Sequence, residues 1–295
     1  MAKQQQPDRG PSAPDLDALA DDLFAAIEND DLSLVYQPKF DLRTDRVVGF
    51  EALARWNHRS HGPLSPAGFI AFAERTGLIQ SVSAWVMHRA FTQLRNWQAR
   101  GHDVTIGVNV SPSLLDAPWF VADVRDALLA TRAEPSAVIF EVGERSLMTD
   151  VERSVAVLAD LRTAGPWIAV DDYGTGYSDL AFLRRLPVKE LNIDRAIVSG
   201  LGVNDIDRSI VQSAVDLAHR LGVVAVAEGV ENHAVLQVLR SMGCDHAQGY
   251  LLGTPMDAAA ATDLLHDGGF STLSRRDRRQ VNLHAERPAA TARQR

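Results

Sequence analysis

Two hydrophobic periodicities alternate along the chain. Short apolar runs rich in Val, Ile, Leu and Phe take turns with stretches whose apolar positions fall every three or four residues. The first pattern marks strands and the second amphipathic helices. Strands are expected at Leu34–Phe40, Val47–Trp56, Val104–Val110, Ala137–Glu144, Trp167–Asp172, Glu190–Asp194, Val223–Glu228 and His246–Leu252. Helices are expected near Asp15–Asn29, Ser81–Arg100, Pro112–Thr131, Asp150–Ala164, Asp205–Leu221, Asn232–Met242 and Asp257–Leu265. Asp205 and Asp257 suit helix N-caps, and Gly101 and Gly222 suit the residue just past a helix C-terminus.

The first two strands are joined by Asp41–Arg46, a link too short for a helical crossover, so they should form an antiparallel hairpin. Helix-sized insertions separate all the later strands, the βα pattern of a parallel sheet. Eight such strands over about 220 residues fit a (β/α)8 barrel with an irregular, antiparallel first strand. A doubly wound open sheet is the alternative, although no G-x-G-x-x-G follows a strand.

Composition narrows the class. Of 295 residues, 46% are hydrophobic and 23% charged, which excludes a wholly disordered chain. A single cysteine, Cys244, excludes a disulfide framework, and a small buried thiol is its expected role. No run approaches the ~20 apolar residues of a membrane span, and the opening residues lack the apolar core of a secretory signal. A cytoplasmic protein is therefore expected. The net charge of −8 argues against DNA binding by the surface as a whole. Residues 1–14 (rich in Gln, Pro and Gly) and the arginine-rich 269–295 read as unstructured ends around a single domain over 15–268.

The informative residues are polar ones set into apolar strands. Glu51 interrupts VVGFEALARW, with Arg55 four positions on; Asn109 sits in VTIGVNV; Glu141 follows Val-Ile-Phe. WIAVDD ends in Asp171 and Asp172, and VVAVAE ends in Glu228. One such carboxylate usually just meets solvent. Several together would converge in a barrel, where the C-terminal strand ends share one face. Carboxylates so crowded raise one another's pKa unless a cation lies between them. Donors that are all oxygen favour a hard ion, Mg²⁺ or Mn²⁺. If the chain turns straight after Asp172, one aspartate can bridge two ions while the other reaches only one. Paired ions roughly 3.5–4 Å apart are the usual means of cleaving phosphate esters. His58 and His61, H-x-x-H in a Gly/Pro-rich loop, read as solvated loop residues rather than zinc ligands. No Ser-His-Asp order accompanies a nucleophile elbow.

The segments YQPKFDL, EALAR, VNVS, FEVGE, DDYGTGYSDL, LPVKELNID, AEGVE and QGYL occur in this order. With them the sequence resembles the EAL-domain family, which hydrolyses cyclic di-GMP to linear pGpG, over roughly residues 20–266. The resemblance implies a barrel with its first strand reversed, a stand-alone EAL protein, and a homodimer. It implies metal ligation by Glu51, Asn109, Glu141 and Asp171, with Asp172 serving a second ion. Glu228 would act near that ion or as general base, and Glu144 would brace the DDYGTG loop. Arg55 would contact a substrate phosphate, a task suited to its planar fork of donors. Gln37, Leu53, Asp194, Glu231 and Gln248 would line the substrate side.

Some positions depart from the family's pattern. Where its members usually read L-K-I-D, this chain reads Leu191-Asn192-Ile193-Asp194. That lysine lies beside the attacking water in active members; Asn192 can hydrogen-bond a water but brings no charge. Lys189, an odd number of positions away, faces the other side of the strand. The usual T-E-S is Gly143-Glu144-Arg145, and Tyr173 replaces a Phe. Two functions follow. One is a metal-dependent cyclic di-GMP phosphodiesterase. The other is a degenerate module that binds the nucleotide, or a protein partner, without hydrolysis. Enolate chemistry lacks support, because no paired Lys or His base stands at the strand ends.

Overall fold

The computed structural model describes residues 16–29, 31–175, 180–202 and 204–267. The expected unstructured ends lie outside the described residues, as do residues 176–179 of the glycine-punctuated loop. The strands are β1 (Leu32–Asp41), β2 (Val47–His58), β3 (Gly62–Leu64), β4 (Thr105–Val110), β5 (Val138–Gly143), β6 (Trp167–Tyr173), β7 (Val188–Ile193), β8 (Val224–Ala227) and β9 (His246–Ala247). The helices are α1 (Leu16–Glu28), α2 (Pro66–Thr76), α3 (Ile79–Ala99), α4 (Pro112–Leu115), α5 (Phe120–Thr131), α6 (Glu144–Thr149), α7 (Val151–Thr163), α8 (Leu180–Leu183), α9 (Arg195–Val198), α10 (Asp205–Leu221), α11 (His233–Ser241) and α12 (Ala258–Asp267).

The sheet runs β1-β9-β8-β7-β6-β5-β4-β2, and the β1–β2 pairing closes it. β1 lies antiparallel to both its neighbours, β2 and β9, while the remaining barrel pairings are parallel. This is the (β/α)8 barrel with a reversed first strand; closure removes the open sheet. In the hairpin turn, the Asp41 carboxylate accepts the N–H groups of Arg43 and Thr44 at 2.8 and 2.7 Å. Such an Asx turn reverses the chain without a helix.

One phase of each strand packs against the helices. Phe50 stacks on Trp97 of α3, and Phe140 meets Phe91 of α3 and Phe120 of α5 edge-on. Strand alternation then turns the other phase toward the barrel axis. That inner phase holds Lys39, Glu51, Gly107, Asn109, Glu141, Asp171, Glu190 and Asn192. α10 shows how the outer layer is built: Val211, Ala214, Val215 and Ala218 form one buried stripe.

The expected helix ends hold at three positions. Asp257 caps α12 by accepting the Ala260 N–H. Gly101 and Gly222 adopt positive φ, and the residue after each bonds back to Trp97 O and Ala218 O, respectively. The α10 cap is instead Asn204, whose side chain accepts the Ile206 N–H, so Asp205 is the first helical residue. The segment 112–131 is two helices, α4 and α5, because Pro118 between them has no N–H to donate. The last strand stops at Ala247, well short of Leu252, where the chain turns at Gly249. β3 and α2 were not anticipated. Their Gly/Pro punctuation reads as loop, yet Ser65 caps α2 ahead of Pro66, a suitable first helical residue.

Candidate active site at the barrel mouth

Neighbouring strands carry the polar residues to one end of the barrel. In register, Gln37 faces Glu51, Glu51 faces Gly107, Asn109 faces Glu141, and Gly143 faces Asp171. Glu228 directly follows β8 and Gln248 directly follows β9. Asn109 Nδ2 donates to Glu51 Oε1 at 2.6 Å. Gln248 Nε2 donates to both Glu51 Oε2 (3.0 Å) and Glu228 Oε1 (3.1 Å). Asn192 Nδ2 donates to Asp171 Oδ1 at 3.2 Å. Gly107 makes room for the cluster, since a Cβ there would lie 2.5 Å from Glu141 Oε1.

Crowding shows in the acidities. Burial, then the charge of Glu51, pushes Glu141 well above the usual carboxylate range. Glu228 is pushed up likewise by burial and by Asp171, Glu51 and Glu141. Asp171 is raised by burial and Glu51, against the hydrogen bond from Asn192. Asp172 has left the alternation of its strand: its φ is 55°, and the β6–β7 register slips between Val170 and Tyr173. Its carboxylate thereby reaches Oδ2 to 4.0 Å from the Cβ position of Gly143, on the inner phase. Lost hydration, together with Asp171 and Asp194, raises its pKa to about 6.

Beneath the cluster lies a buried ion pair that the sequence reading missed. Lys39 Nζ is 2.5 Å from Glu190 Oε2 and 3.5 Å from Glu141 Oε1, with all three side chains buried. Burial favours a neutral amine, but Glu190 and Glu141 hold Lys39 protonated. Burial likewise pushes Glu190 up, yet Lys39 brings it below the usual carboxylate range. The available signal was phase: Lys39 lies two residues from Gln37, and Glu190 two from Asn192, on the inner side of their strands.

Other expected residues rest elsewhere. Glu144 is buried and accepts the Gly174 N–H at 3.1 Å. Gln37 donates to Gly253 O, and Arg55 to Ala54 O, so neither side chain bonds the acidic cluster. Leu53 is half-buried on the phase of Glu51. Asp194 caps α9 through the Ala196 N–H and bonds Asp172. Glu231 is paired with Arg195 at 2.7 Å on the rim. Lys189 sits over the Trp167 ring. His58 is not a solvated loop residue. It is buried, its Nδ1 accepts the N–H groups of Ser60 and His61, and its Nε2 therefore donates to Asp22. Cys244 is a buried thiol pushed up to about 12 by burial and Asp245.

The donors fit a hard cation in chemistry. Asn192 Oδ1 and Gln248 Oε1 are buried and unbonded. Among the described residues, no three Asp, Glu, His or Cys side chains stand as a ready-made clasp. Asn109, Gln248, Asn192 and Lys39 each hold a carboxylate instead, and an ion would enter by displacing such donors. Among the same residues, no helix is long and apolar enough to cross a membrane.

Comparison with known proteins agrees with this geometry. Residues 20–255 match the family model described as the EAL domain. The chain is 43% identical over 241 residues to MucR of Pseudomonas aeruginosa, a bifunctional diguanylate cyclase/cyclic di-GMP phosphodiesterase; the match covers 81% of this chain and 35% of MucR. It is 37% identical over 248 residues to the cyclic di-GMP phosphodiesterase NbdA of the same organism, covering 84% of this chain and 32% of NbdA. The chain thus spans about a third of the length of these curated relatives. A solved structure titled as the PaMucR phosphodiesterase in complex with c-di-GMP superposes with a TM-score of 0.79 at 42% identity, covering 83% of this chain and 99% of that one. On the extent of the match, this chain belongs to the EAL-domain family.

Proposed function

We propose that this barrel hydrolyses cyclic di-GMP to linear pGpG with divalent cations held at its mouth. The observation that carries the reading is the set of mutually repelling, oxygen-only donors on adjacent strand ends. The activity named for the relatives supports it. Glu51, Asn109, Glu141 and Asp171 would hold one Mg²⁺ or Mn²⁺, and Asp172 with Asp171 a second. Such ions supply an acidified water and neutralise charge developing on phosphate oxygens.

The chain's own residues do the rest. Glu228, in its ionised form, takes a proton from the attacking water. Gln248 orients Glu228 and Glu51 together. Glu144 holds the Asp172–Gly174 turn through the Gly174 N–H. Arg55 leaves the Ala54 carbonyl for a substrate phosphate, while Gln37, Leu53, Asp194 and Glu231 line the approach. On this reading the catalytic unit is the barrel over residues 15–268, working as a homodimer in the cytoplasm.

A second reading has one observation in its favour. Asn192 stands where active relatives carry a lysine, and a barrel lacking that charge can bind cyclic di-GMP, or a protein partner, without cleaving it. Purified protein incubated with cyclic di-GMP and Mg²⁺ or Mn²⁺ separates the two. Formation of pGpG that chelation abolishes is expected; nucleotide binding with no product would establish the second reading.

A further inference from the structure

Asn192 is the most enclosed polar residue of the mouth, with no solvent exposure. It lies on β7, between β6, which carries Asp171, and β8, which leads into Glu228. Its amide orientation is fixed, because Nδ2 donates to Asp171 Oδ1 and a flip would set oxygen against a carboxylate. Oδ1 therefore points away from Asp171, and it has no hydrogen-bond partner.

No donor of the described residues reaches it. The Gln248 amide hydrogens are spent on Glu51 and Glu228. The cation below, Lys39, is taken by Glu190 and Glu141. Asp171 on one flanking strand bonds the amide nitrogen, Glu228 follows the other flanking strand, and these two carboxylates repel each other. A water could satisfy the amide alone. A divalent cation satisfies all three groups, since neutral amide oxygens are ordinary ligands of hard ions.

Resting on the reading of the mouth as a cation site, we propose that Asn192 Oδ1 is itself an ion ligand, sharing its cation with Asp171 beside Glu228. A lysine here would bring charge but no ligand. Asparagine reverses both, so the chain exchanges a fixed cation for a stronger hold on a bound one.

The test is Mn²⁺ binding to nucleotide-free protein, followed by electron paramagnetic resonance and calorimetry. Asn192→Ala is expected to weaken binding by about tenfold or more. Asn192→Asp keeps an oxygen in place and should bind at least as tightly as the wild type. Asn192→Lys removes the amide oxygen and should weaken Mn²⁺ binding relative to the wild type. Anomalous diffraction from Mn²⁺-soaked wild-type crystals should place an ion about 2.1 Å from Oδ1; this arm stands even if a variant fails to fold. Wild-type affinity in Asn192→Ala, or a water between ion and amide, would overturn the inference and leave the proposed function intact. Absence of Mn²⁺ binding to the wild type would overturn both.

Discussion

Replacing Lys39 with Met removes a buried cation beneath the acidic mouth. Glu190 would lose a 2.5 Å partner and Glu141 a 3.5 Å one, both in a fully enclosed setting. Breaking a buried pair from one side typically costs about 3–5 kcal/mol, because the remaining charge is uncompensated. For a domain of this size, each kcal/mol lowers Tm by about 2–4 °C, so a fall of roughly 6–20 °C is expected. The loss should also depend on pH. In the wild type Glu190 is held below its usual range, so its contribution is present above the unfolded carboxylate pKa and disappears as pH falls through the lowered one. Without Lys39, burial outweighs the weaker pull of His246 and Lys189 and raises the Glu190 pKa, so stability is lost as pH rises instead. Urea unfolding of metal-free protein at pH 5 and pH 8 reads both effects. The deficit should be larger at pH 8, and Glu190→Leu in the Lys39→Met background should recover most of it. A deficit below about 1 kcal/mol, or one unchanged by pH, would refute the reasoning.

Three further outcomes follow from the same geometry. Glu141, Asp171, Asp172 and Glu228 have raised pKa values, so their contribution to the stability of the ion-free protein is full below the ordinary carboxylate range and declines as pH rises through the raised values. Since Mn²⁺ binds the ionised groups, its thermal stabilisation should be greater at pH 8 than at pH 5.5, which melting curves check directly. Gly107→Ala would thrust a Cβ against the Glu141 carboxylate, displacing it; Mn²⁺ affinity should fall while circular dichroism stays unchanged. Glu144→Ala removes the acceptor of the Gly174 N–H and should cost about tenfold in cyclic di-GMP turnover, the equivalent of one buried hydrogen bond, in steady-state kinetics.

Much of this architecture was legible in residue order because strand and helix periods differ. The antiparallel start followed from the length of Asp41–Arg46, and the acidic mouth from polar residues at the ends of apolar runs. What escaped depends on contacts across the barrel. Lys39 reads as an ordinary strand lysine until Glu190, 151 residues away, closes on it. The unbonded Asn192 oxygen is invisible in sequence because it arises from what Asp171 does to the other end of the amide. The resting partners of Gln37, Arg55 and Glu231 are likewise set by tertiary neighbours. Short elements such as β3 and β9 fall below the length at which period alone can be read.

The central claim is that donors from separate strands gather at this mouth to hold divalent ions. Calorimetric titration of Mn²⁺ into metal-free protein near pH 6, in buffers of differing ionisation heat, tests it most directly. Saturable binding accompanied by proton release is expected, as carboxylates of raised pKa ionise onto the ion, with both signals lost in Glu51→Gln. Absence of binding, or binding that Glu51→Gln leaves unchanged, would contradict it.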